Sequence, residues 1–198
     1  MTTPRCLERQ GLPLGHVSIG DCAFALKPIV LTTVLGSCVC ATFHHPGRQV
    51  GGMFHAMLPD KGAHRAQNGR DRACTFADLA VAAMVERFRE AGMPPAELTV
   101  KLFGGANTLE AGFGEGKRPG MREMLDVGRK NVDTALAALA AYGLVPKKQD
   151  VLGAQGRKLF FSTATGEVWM SYLSTELALK ALAAKQQAAR QRQAGKKP

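Results

Sequence analysis

Between residues 29 and 58 three short apolar, β-branched runs follow one another with only turns between them. They are Ile29–Val34 (IVLTTV), Cys38–His44 (CVCATFH) and Val50–Leu58 (VGGMFHAML). Runs of this length and composition read as strands, because branched β-carbons lose rotamer freedom in a helix and pack well on a pleated surface. Gly36-Ser37 interrupts the first pair where a core strand would simply continue, which permits a tight bend. His45-Pro46-Gly47-Arg48 supplies turn chemistry before the third run, and His44 and His45 beside Pro46 read as exposed turn residues. The core is therefore built on a sheet.

Helical spacing occurs twice. Phe76, Leu79, Ala80, Ala83, Met84 and Phe88 recur on one face after Thr75, which with Asp78 approximates a capping box; Gly92-Met-Pro-Pro ends that helix. Val132, Leu136 and Leu139 line a second helix over 129–142, closed by Gly143. Further strands are expected at 98–103, 144–152, 158–162 and 167–173, the last two forming a hairpin, with brief ones in HVSIG and CAFAL. Residues 60–74 and 110–126 read as loops, and an Ala-rich tail helix begins near Ser174. The expected class is α/β, a layered, mixed and largely antiparallel β-structure with packed helices. A Rossmann layout fits poorly, since no Gly-x-Gly-x-x-Gly opens either helix after a strand.

The 198 residues suit one domain over 1–173, followed by a basic tail over 174–198. No apolar run reaches the roughly 20 residues that span a bilayer, and MTTPRCLERQGLP lacks the apolar centre of a secretory signal, so a cytoplasmic location is expected. Cysteines 6, 22, 38, 40 and 74 are odd in number and contain no Cys-x-x-Cys pair, which argues against a disulfide framework and a structural zinc site. No metal and no cofactor are expected. Half of the formal charge of +10 sits on the tail, where Lys180, Lys185, Arg190, Arg192, Lys196 and Lys197 face one acid, Glu176. No aromatic residue interleaves these charges, so a nucleic-acid interface is not indicated.

Cys38 follows the Gly36-Ser37 bend, where a side chain can project from the sheet. A thiol near its ordinary pKa is mostly protonated at neutral pH and needs a base. His55, among apolar neighbours in the third run, can supply one if its strand lies beside that of Cys38. A hydroxyl from Thr32 or Thr33 can orient the imidazole, and backbone N–H groups near Gly36 and Ser37 can form an oxyanion hole. Gly51-Gly52 permits another backbone to approach closely. Against this, a lone cysteine and a lone histidine within strands are more often structural residues of a core. Cys40, on the same strand face, reads as small core filler.

LTTVLGSCV, VGGMFHAMLPD, KLFGGAN, GRKNV and the hairpin GRKLFFSTATGEVW, in that order, resemble the CheD family of chemoreceptor glutamine deamidases over residues 15–173. The resemblance implies an amidohydrolase acting on protein glutamine through a cysteine thioester, with Cys38 as nucleophile, His55 as base and Thr32 as the orienting residue. It implies a fold akin to the catalytic domains of deamidating bacterial toxins. Gly36, Ser37, Gly104 and Gly105 are the expected oxyanion and wall positions. Implied partners are the cytoplasmic helices of methyl-accepting chemotaxis receptors and a CheC-type phosphatase, met by a monomer. A docking module with little turnover is the competing reading. The basic stretch at 110–122, the DVG before Arg129 and the basic tail depart from the family pattern.

Overall fold

The structure is a computed structural model that describes Pro4, Leu7 and residues 11–60, 74–107 and 127–173. The expected tail helix and most of the two long loops lie outside these residues. In chain order the strands are β1 (Leu14–His16), β2 (Cys22–Ala25), β3 (Val30–Leu35), β4 (Val39–His45) and β5 (Val50–Phe54). Helix α1 (Ala77–Glu90), β6 (Thr99–Gly104) and helix α2 (Val127–Ala141) follow. Strands β7 (Lys148–Val151), β8 (Arg157–Ser162) and β9 (Val168–Tyr172) complete the described part.

Among the described residues two sheets form, one of four strands in the order β1-β3-β8-β9 and one of five in the order β2-β5-β4-β6-β7. Among the described strands β1–β3 and β6–β7 pair in parallel, and the other strand pairs are antiparallel. The chain is thus mixed α/β and largely antiparallel, as its patterning predicts. Consecutive strands β3 and β4 lie in different sheets, so Gly36-Ser37 is the crossing point between them.

Alternation along β4 assigns the two faces of the larger sheet. Val39, Ala41 and Phe43 join Phe54 and Ala56 in a core completed by Ala80, Val81, Met84, Val85 and Phe88 of α1 and by Val132, Ala135 and Leu139 of α2. Phe88 meets Phe24 of β2 edge-on, ring centres 4.9 Å apart. Each such fully buried large side chain contributes about 1.5–3 kcal/mol. Cys40, Met53 and Phe103 point the other way, onto Leu31, Leu35, Leu159 and Phe161 of the smaller sheet. The layers are therefore helices, five-stranded sheet and four-stranded sheet. Gly51 and Gly52 serve the two interfaces, since a Cβ at Gly51 would meet Thr163 and Phe161, and one at Gly52 would meet Met84 and the Ala23 carbonyl.

Two local expectations are corrected. Thr75 does not cap α1: its N-cap is Phe76 without a side-chain bond. The carbonyls of Leu58 and Pro59 accept the N–H of Ala77, and that of Pro59 also accepts the N–H of Asp78. A preceding strand end has taken over the work of a capping side chain. His44 and His45 do not sit in an exposed turn; they end β4, 6% and 7% exposed. His45 Nδ1 accepts the Arg48 N–H, which leaves Nε2–H to donate to Glu97 Oε2 at 2.7 Å.

Candidate active site

The backbone bridge between Val39 and Ala56 keeps the register of the β4–β5 ladder, with paired N–H to carbonyl bonds of 2.9 Å each way. That register sets Cys40 opposite His55 and Cys38 opposite Met57. Directly opposed residues share a sheet face, so Cys38, Cys40, His55 and Met57 all point toward the smaller sheet. Cys38 and His55 are diagonal neighbours, a separation within reach of an aromatic side chain.

His55 is 2% exposed and its strand end is held on both sides. Its N–H donates to Asp21 O at 2.9 Å and its carbonyl accepts the Gly20 N–H at 2.7 Å. Its Nδ1 lies 2.8 Å from Thr33 Oγ1. The Thr33 hydroxyl also reaches Val17 O at 2.7 Å, a carbonyl that can only accept. The single hydroxyl proton therefore goes to Val17, and Thr33 can only accept from His55. The imidazole carries its hydrogen on Nδ1, and the Nε2 lone pair is its basic position.

Thr32, the orienting residue expected from the resemblance, is not brought to this place. Its hydroxyl donates to Leu159 O at 2.8 Å. The reason is the strand period: Leu31, Thr33 and Leu35 face the other sheet, whereas Val30, like Phe160, belongs to the cluster on the outer face. Alternation against Leu31 and Leu35 was the signal in the sequence that separates the two threonines.

Cys38 is partly exposed, between exposed Ser37 and fully buried Val39. Cys40 is sealed, and burial pushes its thiol far above the ordinary range, so it is no nucleophile in the folded state. Gly104 and Gly105 form the wall beneath the bend. Gly105 N–H donates to Cys38 O at 2.8 Å and Ala106 N–H to Gly36 O at 2.9 Å. Gly104 has φ +108°, and a Cβ there would collide with the Cys38 carbonyl and Val39 Cα. These glycines buttress the Cys38 backbone, and the Gly105 N–H is already committed to the Cys38 carbonyl. One residue escaped the sequence reading: buried Asn131 of α2 donates to Ser37 O at 3.0 Å and to Met57 O at 3.1 Å. The GRKNV segment was visible, but only packing shows where it reaches.

Cys22 lies on the opposite, helix-side face of the larger sheet. A hydrogen bond from Cys74, with the Arg87 charge adding to it, lowers its pKa to about 7. Beyond the Leu35–Arg157 pair, a surface hollow is lined by Asp150, Leu152, Gly153, Arg157 and Tyr172. Arg157 donates three hydrogen bonds there, to Asp150 Oδ1 at 2.6 Å and to the Leu152 and Gln155 carbonyls at 2.7 and 3.1 Å. Among the described residues no group of three or more His, Cys, Asp or Glu could hold a metal ion, and no helix is long and apolar enough to cross a membrane.

A partly exposed thiol and a hydroxyl-oriented imidazole on one sheet face are the parts a thiol-dependent hydrolase uses. Comparison with known proteins carries the classification further. The chain belongs to the CheD family, whose model, CheD chemotactic sensory transduction, matches residues 57–172. It is 42% identical to the probable chemoreceptor glutamine deamidase CheD of Nitratidesulfovibrio vulgaris, over 80% of this chain and 76% of that one. It is 40% identical to the protein of the same name from Oleidesulfovibrio alaskensis, over 86% and 78%. A stretch of that extent necessarily takes in Cys38 and His55. Probable chemoreceptor glutamine deamidase CheD 2 of Geobacter sulfurreducens is 42% identical over 82% and 92%. Among solved structures, hypothetical protein YfiH of Bacillus licheniformis aligns at TM-score 0.41 and 14% identity, over 68% of this chain and 51% of that one, a likeness too distant to bear on fold or function.

Proposed function

We propose that this chain is a chemoreceptor glutamine deamidase that works through Cys38, His55 and Thr33. The observation that carries the reading is the Val17–Thr33–His55 chain of hydrogen bonds, which leaves Nε2 as the basic nitrogen of an imidazole whose strand register sets it diagonal to Cys38. Membership of the CheD family supplies the substrate class.

The sequence of events follows from these roles. His55 Nε2 takes the Cys38 proton, and the thiolate attacks the side-chain amide carbon of a receptor glutamine. Negative charge develops on the amide oxygen, where backbone N–H groups of the Gly36–Cys38 bend stabilise it; one such donor is typically worth about 3–4 kcal/mol. Protonated His55 gives its proton to the departing nitrogen, and ammonia leaves a thioester. His55 then takes a proton from water, hydroxide attacks the thioester, and glutamate and the Cys38 thiol are released. Thr33 holds the imidazole in one tautomer throughout and stabilises its charged form.

The protein acts in the cytoplasm as a monomer on the cytoplasmic helices of methyl-accepting chemotaxis receptors, and a CheC-type phosphatase docks over the same site. Residues 1–173 form the catalytic domain, and 174–198 are an appended basic tail. Incubation of the purified chain with a receptor cytoplasmic fragment, followed by peptide mass spectrometry, is expected to reveal glutamine-to-glutamate conversion. Conversion undiminished in Cys38→Ala would refute the assignment of the nucleophile, and absence of conversion by the intact chain would refute the activity.

A further inference from the structure

We propose that Asn131 is a positioning residue for this reaction, a side-chain rung that holds the Cys38 bend in register with the His55 strand. The inference rests on the deamidase reading above. Backbone exchange between β4 and its partner strand reaches the Val39–Ala56 bridge. Cys38 and Met57 form the next opposed pair, one that does not exchange backbone bonds in an antiparallel ladder. At this point the Asn131 amide enters from α2 and gives one hydrogen to Ser37 O and the other to Met57 O, at 3.0 and 3.1 Å. Ser37 immediately precedes the nucleophile and Met57 stands two residues past the base. The amide therefore ties the two reacting side chains together through their own backbones.

Its surroundings support that role. Asn131 is fully buried, and its Oδ1 has no partner among the described residues. A buried acceptor left unpaired costs stability, so the position is not optimised for packing; what the amide contributes is its two donated bonds. The helix is seated to deliver them. Gly128, one turn earlier, lies against Gly105 so closely that a Cβ on either residue would run into the other's backbone or its neighbours. Gly105 in turn donates to Cys38 O. The first turn of α2 is thereby fixed on the floor beneath the nucleophile, and Asn131 reaches both strands from there.

The test uses the full-length chain and two variants. Asn131→Leu keeps the branched outline and removes both donors. Asn131→Ser keeps a polar group too short to span two carbonyls, and serves where the leucine variant does not fold. Deamidation of a receptor fragment is expected to lose about 100-fold in kcat with KM within threefold, the scale that a misplacement of about 1 Å produces. A second readout does not depend on turnover: the pH profile of Cys38 alkylation by iodoacetamide, followed on the Cys38 peptide in a Cys22→Ser background. Loss of alignment with the imidazole should move its midpoint up by about one unit. A folded variant with wild-type kcat and an unmoved alkylation profile would overturn the proposal; a lowered melting temperature with both unchanged would show a merely structural role and do the same. If the wild-type chain does not deamidate, the deamidase reading fails by itself, and the alkylation profile alone judges Asn131.

Discussion

The two faces of the five-stranded sheet are built from the same strands and yet do different work. The helix-side face is apolar along β4 and β5, from Val39 through Phe43 and Phe54, and α1 and α2 cover it. The face toward the smaller sheet is equally apolar at its centre, around Cys40, Met53 and Leu159. At the end where the chain crosses between sheets it becomes polar, with Thr33, His55 and Cys38. Cys38 and Cys40 make the contrast sharpest: two thiols, two positions apart, on one face of one strand. One is partly exposed beside the bend, and the other is sealed with its ionisation suppressed by burial. Location along a face, more than residue type, separates an accessible thiol from a sealed one.

The largest expected effect breaks or upholds that contrast directly. Cys38→Ala should reduce deamidation by at least about 10⁴-fold, the scale on which loss of an entire nucleophilic route is felt. Cys40→Ala should retain turnover within about threefold; the reverse pattern, read by mass spectrometry of a receptor fragment, would exchange the roles of the two thiols. His55→Ala should cost about 10²–10⁴-fold in kcat, the usual contribution of a general base.

The threonine pair sharpens the comparison within β3. Thr33→Val should lower kcat by about 10–100-fold through loss of the imidazole's orienting partner. Thr32→Val should leave turnover unchanged and cost about 1 kcal/mol of stability, because it deprives Leu159 O of a donor. Denaturant unfolding and initial rates on both variants separate these outcomes, and activity lost in Thr32→Val alone would mean that the strand faces are inverted.

Alkylation with pH resolves the sulfur positions without substrate. Cys22, with a pKa lowered to about 7 by the Cys74 hydrogen bond and Arg87, should react with iodoacetamide half-maximally near pH 7 and reach a plateau at higher pH, where it is thiolate. Cys40, raised by burial, should stay unmodified across that range until the protein unfolds. Peptide-level mass spectrometry reads both, and native labelling of Cys40 at pH 8 would contradict its burial. The smallest effect is on stability alone: Cys40→Ala should cost about 1 kcal/mol, since one buried sulfur is exchanged for a small void.

Much of this was legible in the chain. Branched runs and helical spacing located β2 to β9 and both described helices to within a few residues, because they are short-range consequences of side-chain shape; the strand expected in HVSIG instead ends at His16, as β1. The LGSC bend and the downstream HAML segment marked Cys38 and His55 as residues worth pairing. Thr32 was expected to orient the base, and Thr33 stands in its place; the alternation that decides this is local, but which face looks inward is not. His44 and His45 looked like turn residues from the Pro46-Gly47 beside them, yet cross-strand pairing and Glu97 draw them into the end of β4. Thr75 looked like a cap until the end of the third strand segment supplied its carbonyls to the same N–H groups.

The order of residues by itself determined where strands and helices form, where the backbone can bend, and which thiol stands at a bend, since each depends on neighbours a few positions apart. Only the tertiary structure decided that the bend joins two sheets, that Thr33 and not Thr32 meets His55, and that Asn131 stands behind both. Those outcomes rest on register and on contacts between segments 22 to 127 positions apart. Such long-range contacts are selected by how the apolar faces pack, and no local propensity encodes them.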